Sequence, residues 1–146
     1  MMKKQSPSSS ITWHYYLAWI IAASALLGSL YFSEIKDLPP CVLCWYQRIF
    51  MYPIALILPI GIIRREGVVA LYTLPLALIG AAIAFYHYLL QLKIIPESVA
   101  PCVQGLSCSE IQTEYFGFIT IPFLSLAAFI IISVVLALTL KNESRK

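Results

Sequence analysis

Apolar residues fall along this chain in four long blocks, without the alternating or one-faced patterns of soluble strands and helices. Positions 15–32, 68–92 and 115–140 carry no Asp, Glu, Lys or Arg over 18, 25 and 26 residues. Positions 44–63 form a fourth block of 20 residues interrupted by one charge, Arg48. A helix rises about 1.5 Å per residue, so about 20 apolar residues cross the hydrocarbon of a bilayer. The pattern predicts an all-α membrane protein built as a bundle of four transmembrane helices. Pro53, Pro59, Pro75 and Pro122 lie inside the blocks. Membrane helices tolerate such breaks where neighbours take up the carbonyls that proline leaves free. Lys3 and Lys4 give the first block the look of a signal peptide, but its apolar stretch exceeds the roughly 7–15 residues of a signal core. Trp13, Tyr15, Tyr16 and Trp19 at its start read as an interfacial anchor.

Composition agrees: 60% of the 146 residues are hydrophobic and only 12% charged, against about 25% charged in soluble domains. The net charge of +3 is small, and no basic cluster exceeds two adjacent residues, so nothing points to nucleic acid. The placement of the charge is more informative. Lys3 and Lys4, Arg64 and Arg65, and Lys141, Arg145 and Lys146 put seven of ten basic residues on one face, the cytoplasmic one by the positive-inside rule. The expected layout is a cytoplasmic N-terminal tail (1–14), a four-helix domain (15–140) and a cytoplasmic tail (141–146). Two loops, 33–43 and 93–114, face outward.

Orientation changes the meaning of the cysteines. Cys41 and Cys44 fall at the first outward loop, Cys102 and Cys108 in the second. Outside is the oxidising side, where disulfides persist. In "CVLCWYQR" (41–48), Pro39 and Pro40 precede the first pair. Proline favours a first helical turn, so both cysteines are expected in the opening turn of the second span. Helix-terminal amides and the dipole there favour a thiolate. Arg48 lies four residues beyond Cys44 on the same face, where a fixed positive charge lowers a thiol's pKa further. A snorkelling anchor is the plainer reading of Arg48, and a static disulfide that of the pair. Gln47 is ambiguous.

In "PCVQGLSC" five residues separate Cys102 from Cys108, and Gly105 supplies a turn. A structural staple is the plainer reading. A zinc site made of all four cysteines fits poorly with the unequal spacings and the oxidising compartment, so no metal is expected. Together the pairs suggest a relay: thiol–disulfide exchange can pass two electrons from the exposed pair to the pair at the lipid boundary. With no haem or iron–sulfur ligand set visible, the acceptor would be a small lipid-soluble oxidant, a membrane quinone such as menaquinone or ubiquinone. His87 in "YHYLLQL" lies near the outer end of the third span. It reads either as a packing residue or as a group that meets Arg48 at the same quinone.

"CVLCWYQR" after a first span, four spans in all, "HYLLQL" late in the third, and a cysteine pair in the next outer loop resemble the disulfide bond formation protein B (DsbB) family. The short second loop is most similar to the thiol-disulfide oxidoreductase C (BdbC) type. The resemblance covers positions 15–140 and implies a bacterial cell-membrane enzyme with its active face extracytoplasmic. Such an enzyme reoxidises a thioredoxin-like extracytoplasmic thiol oxidase and hands the electrons to quinone. Carried over, it implies that Cys102 forms the mixed disulfide with the partner. Cys108 exchanges with the Cys41–Cys44 pair through Cys41, and Cys44 faces the quinone, with Arg48 supporting it, His87 nearby and Gln47 beside them. Longer members space the second pair widely, whereas five residues intervene here. Two rival readings are weaker. A quinone reductase resembling vitamin K epoxide reductase would carry its pairs in the reverse order. A non-enzymatic four-span scaffold would hold both disulfides fixed.

Overall fold

The computed structural model describes residues 9–37, 39–64, 67–96, 98, 108 and 120–144. Four helices account for nearly all of them: α1 (Ser9–Glu34), α2 (Val42–Arg64), α3 (Val69–Gln91) and α4 (Ile121–Ser144). Each is long and apolar enough to cross a membrane. They pack as a closed ring in which α1 touches α2 and α4, and α3 touches α2 and α4. The chain is an all-α four-helix bundle.

Ends and breaks have local causes. Pro122 falls in the first turn of α4, where its missing N–H costs nothing. The α4 span therefore opens at Ile121 among the described residues, and the 115–119 portion of the apolar block lies outside them. At the other end of the hairpin, α3 closes in a Schellman motif: Lys93 N–H donates to the Leu90 carbonyl and Ile94 N–H to that of Leu89. Lys93 takes φ 57° to do so. Within α2, Pro59 has no N–H for the Ala55 carbonyl. The Trp19 indole N–H of α1 donates to that oxygen at 3.1 Å.

Trp19 and Tyr15 thus differ from the interfacial reading. Tyr15 is buried, and its hydroxyl donates to the Gly67 carbonyl at 2.8 Å, tying α1 to the α2–α3 turn. Trp13 and Tyr16 remain exposed.

Small residues set the spacing of the core. Ala18, Ala22, Ala70, Ala77 and Ala84 are buried with Ile54, Leu58, Phe129, Ile132 and Leu136, as expected where close backbone approach drives association in lipid. A Cβ at Gly80 would collide with the Phe129 ring. Thr73, Ser133 and Thr139 are buried, and each donates its hydroxyl to the carbonyl four residues earlier at 2.8 Å.

Candidate functional site

Cys41 sits one residue before α2, and its carbonyl accepts the Trp45 N–H at 3.1 Å. It is therefore the helix N-cap, one step earlier than the opening turn expected from sequence, with Cys44 inside that turn. Both are free thiols, and their sulfurs lie 3.1 Å apart. Hydrogen bonds converge on Cys41. Its thiol is lowered from 9.0 to about 4, first by the hydrogen bond with Cys44, against the opposing effect of burial, and then by His87 and the Cys44 backbone amide. A helix N-cap sulfur accepting a first-turn N–H is the geometry that stabilises a thiolate.

His87, on α3, is almost fully buried and lies between Cys41 and Cys108. Gln47 Nε2–H donates to His87 Nδ1 at 3.0 Å. That leaves the proton of the neutral ring on Nε2. Nε2 lies 3.2 Å from the Cys108 carbonyl oxygen and 3.7 Å from Cys41 Sγ. Cys108 is buried and disulfide-bonded. It packs with Cys41, Leu43 and Leu90. Cys102 lies outside the described residues, as does most of the second loop.

Arg48 turns the other way, toward α1. Its Nε donates to Ser29 Oγ at 2.8 Å and its terminal NH2 to the Ser29 carbonyl at 2.7 Å. The guanidinium also sits 5.6 Å over the Trp45 ring, a cation–π contact. Arg48 is buried, so its charge lies within the bundle.

Cys44, Gln47, Arg48 and Met51 recur at helical spacing and line one wall of a partly open cavity of about 220 Å³. Gly28, Ser29 and Phe32 of α1 and Ile121, Leu124 and Ser125 of α4 complete it. His87 does not line it. Cys44 therefore faces the cavity on one side and Cys41 on the other, and Gln47 both lines the cavity and holds the His87 ring. Nothing in the sequence marks Ser29, since Ser24 carries the same hydroxyl in the same apolar block. The cavity is smaller than the about 300–1,000 Å³ of drug-sized pockets.

Cys41, Cys44 and His87 also present three donor atoms within 4.8 Å of one another. Such a soft set could hold a thiophilic ion only while the dithiol is reduced, since a Cys41–Cys44 disulfide removes two of the donors.

The comparisons bear on what this arrangement does. Residues 12–139 match the family described as Disulfide bond formation protein DsbB. Disulfide bond formation protein C of Bacillus subtilis (strain 168) is 52% identical over 128 residues, 88% of this chain and 92% of that protein. Probable disulfide formation protein C 1 of Bacillus anthracis is 48% identical over 129 residues, again 88% and 92%. Probable disulfide formation protein of Metapseudomonas resinovorans is 44% identical over 130 residues, 88% and 90%. No solved structure matches. A match over most of the chain, with paired sulfurs at the end of a bundle of membrane-length helices, makes this a membrane thiol-disulfide oxidoreductase that belongs to the DsbB family of disulfide bond formation proteins.

Proposed function

We propose that the protein couples disulfide formation to a membrane quinone, menaquinone or ubiquinone, and reoxidises a thioredoxin-like extracytoplasmic thiol oxidase in a bacterial cell membrane. The observation that carries this reading is the two-sided setting of the Cys41–Cys44 pair: Cys44 lines an apolar cavity with Arg48, while Cys41 meets Cys108 and His87. One face suits a lipid-soluble oxidant and the other a second sulfur pair.

Arg48, the serines at 29 and 125 and the Gln47 amide supply the polar groups that would hold a quinone ring, and Met51, Phe32 and Leu124 its apolar walls. Quinone, when bound, supplies a two-electron, two-proton sink. The protein's own part is to keep Cys44 at that ring and Cys41 at the loop pair. Arg48, anchored by Ser29, contributes a fixed positive charge on the cavity wall. Cys102 and Cys108 would receive the partner's electrons and return as a disulfide once Cys41–Cys44 has accepted them. With seven basic residues on the tail and α2–α3 side, both termini are cytoplasmic and the sulfurs belong to the outer leaflet.

The test is thiol trapping of purified, fully reduced protein with and without decyl-ubiquinone. The expected result is quinone-dependent loss of free Cys41 and Cys44, abolished in a folded Cys44→Ser variant. A scaffold with two fixed disulfides predicts that quinone leaves every cysteine unchanged and that Cys44→Ser costs only stability.

A further inference from the structure

The His87 Nε2 lies 3.7 Å from the Cys41 sulfur and 3.2 Å from the Cys108 carbonyl oxygen, and the ring stands apart from the cavity assigned to the oxidant. From this placement we infer that His87 is a catalytic residue of the exchange between the two cysteine pairs, donating its Nε2–H to the Cys41 sulfur, and that Gln47 is a positioning residue that fixes the tautomer. The inference rests on reading the pairs as a relay, but not on the identity of the oxidant.

The chemistry follows from bond counting. With the loop pair reduced and Cys41–Cys44 oxidised, the Cys108 thiolate attacks Cys41. The Cys41–Cys108 bond forms, the Cys41–Cys44 bond breaks, and Cys44 leaves with the electron pair. The Cys102 thiolate then attacks Cys108. The Cys102–Cys108 bond forms, the Cys41–Cys108 bond breaks, and Cys41 leaves with its pair. Net, one disulfide is made and one lost, and two electrons move from the loop pair to the helix pair. Exchange is faster when the departing sulfur is a stabilised thiolate. In the structure the His87 Nε2 lies 3.7 Å from the Cys41 sulfur, the group that leaves last in this exchange.

Only one tautomer does this. A ring protonated on Nδ1 would turn a lone pair toward both the Cys41 sulfur and the Cys108 carbonyl. The Gln47 amide N–H at Nδ1 excludes it, as an outer partner fixes the tautomer of other working histidines. The Cys41 and Cys44 sulfurs and a nitrogen of this ring lie within 4.8 Å of one another, while Arg48, next to Gln47 on α2, is committed to Ser29.

The experiment needs no quinone. Oxidised, quinone-stripped protein in detergent is mixed with dithiothreitol, quenched with N-ethylmaleimide at intervals, and each cysteine is scored by mass spectrometry. Subtracting the rate in a Cys102→Ser/Cys108→Ser variant isolates reduction of Cys41–Cys44 that passes through the loop pair. His87→Phe, which keeps a ring but no N–H, is expected to slow that transfer about tenfold or more, and His87→Gln, which keeps a donor, to hold it within about threefold, the scale of one hydrogen bond to a charged group. Gln47→Met is expected to slow transfer in the parent protein but to add nothing in the His87→Gln background, where no tautomer needs setting. The Gln47 pair of measurements stands even where His87→Phe does not fold. Unchanged transfer in His87→Phe, a faster rate in His87→Phe than in His87→Gln, or an equal Gln47→Met effect in both backgrounds overturns the assignment. Absence of any loop-dependent transfer in the parent does the same. Failure of quinone oxidation in the separate trapping experiment leaves it standing.

Discussion

Cys41 owes its chemistry to standing just outside a helix. As N-cap it collects the Cys44 backbone amide, the Cys44 thiol and the His87 ring, and its pKa falls from 9.0 to about 4. A depressed folded value means that the reduced, folded protein holds fewer protons than the unfolded chain between those limits. The stability so contributed is complete above the unfolded value and is lost as pH falls through about 4. In reduced protein, Cys41 alkylation by iodoacetamide is therefore expected to hold its rate from pH 8 down to pH 5, whereas an ordinary thiol loses about tenfold per unit below about 8.5. A Cys41 rate that declines across that range would contradict the thiolate. The motif at 41–48 made both cysteines and Arg48 legible in the sequence, because spacing along one helix turn is local information. The partner of Arg48 was not legible. α1 is apolar on every side, so no pattern marks which face meets α2, and Ser29 emerges only once the helices are packed.

The pairing of Trp19 with Ala55 belongs to the scale of elements. Proline in a span raises a question of unpaired carbonyls that the sequence poses and only the packing answers. Here an indole from the neighbouring helix supplies the N–H that Pro59 lacks. Trp19→Phe is expected to cost about 1 kcal/mol, read as a lower midpoint in thermal or denaturant unfolding of the detergent-solubilised protein. In a Pro59→Ala background, where the helix regains its own donor, the same change should cost less. Equal costs in the two backgrounds would assign Trp19 to packing alone. Helix count and order were readable from hydropathy. Aromatic roles were not, since Trp13, Tyr15, Tyr16 and Trp19 look alike as a sequence cluster while two of them turn inward.

The whole molecule is a ring of four helices joined closely through alanines and tied at one end by Tyr15 and Gly67. The sulfur chemistry sits at the opposite end, at the first turn of α2 and the last turns of α3. The sidedness proposed above rests on the basic residues, and it has a direct check. After reduction of intact cells, a membrane-impermeant maleimide is expected to label loop cysteines from outside, and a cysteine introduced at Lys141 only after permeabilisation. The reverse pattern would invert the topology. Gln47 is the feature with the widest reach. One amide forms part of the cavity wall and also steadies the imidazole behind it. A small inhibitor that occupied the chamber and captured that amide would block the proposed oxidant site and disturb the histidine together. Bacteria escaping it by substitution at this position would surrender the orientation of His87, so drug resistance there should carry a penalty in growth wherever exported proteins depend on their disulfides.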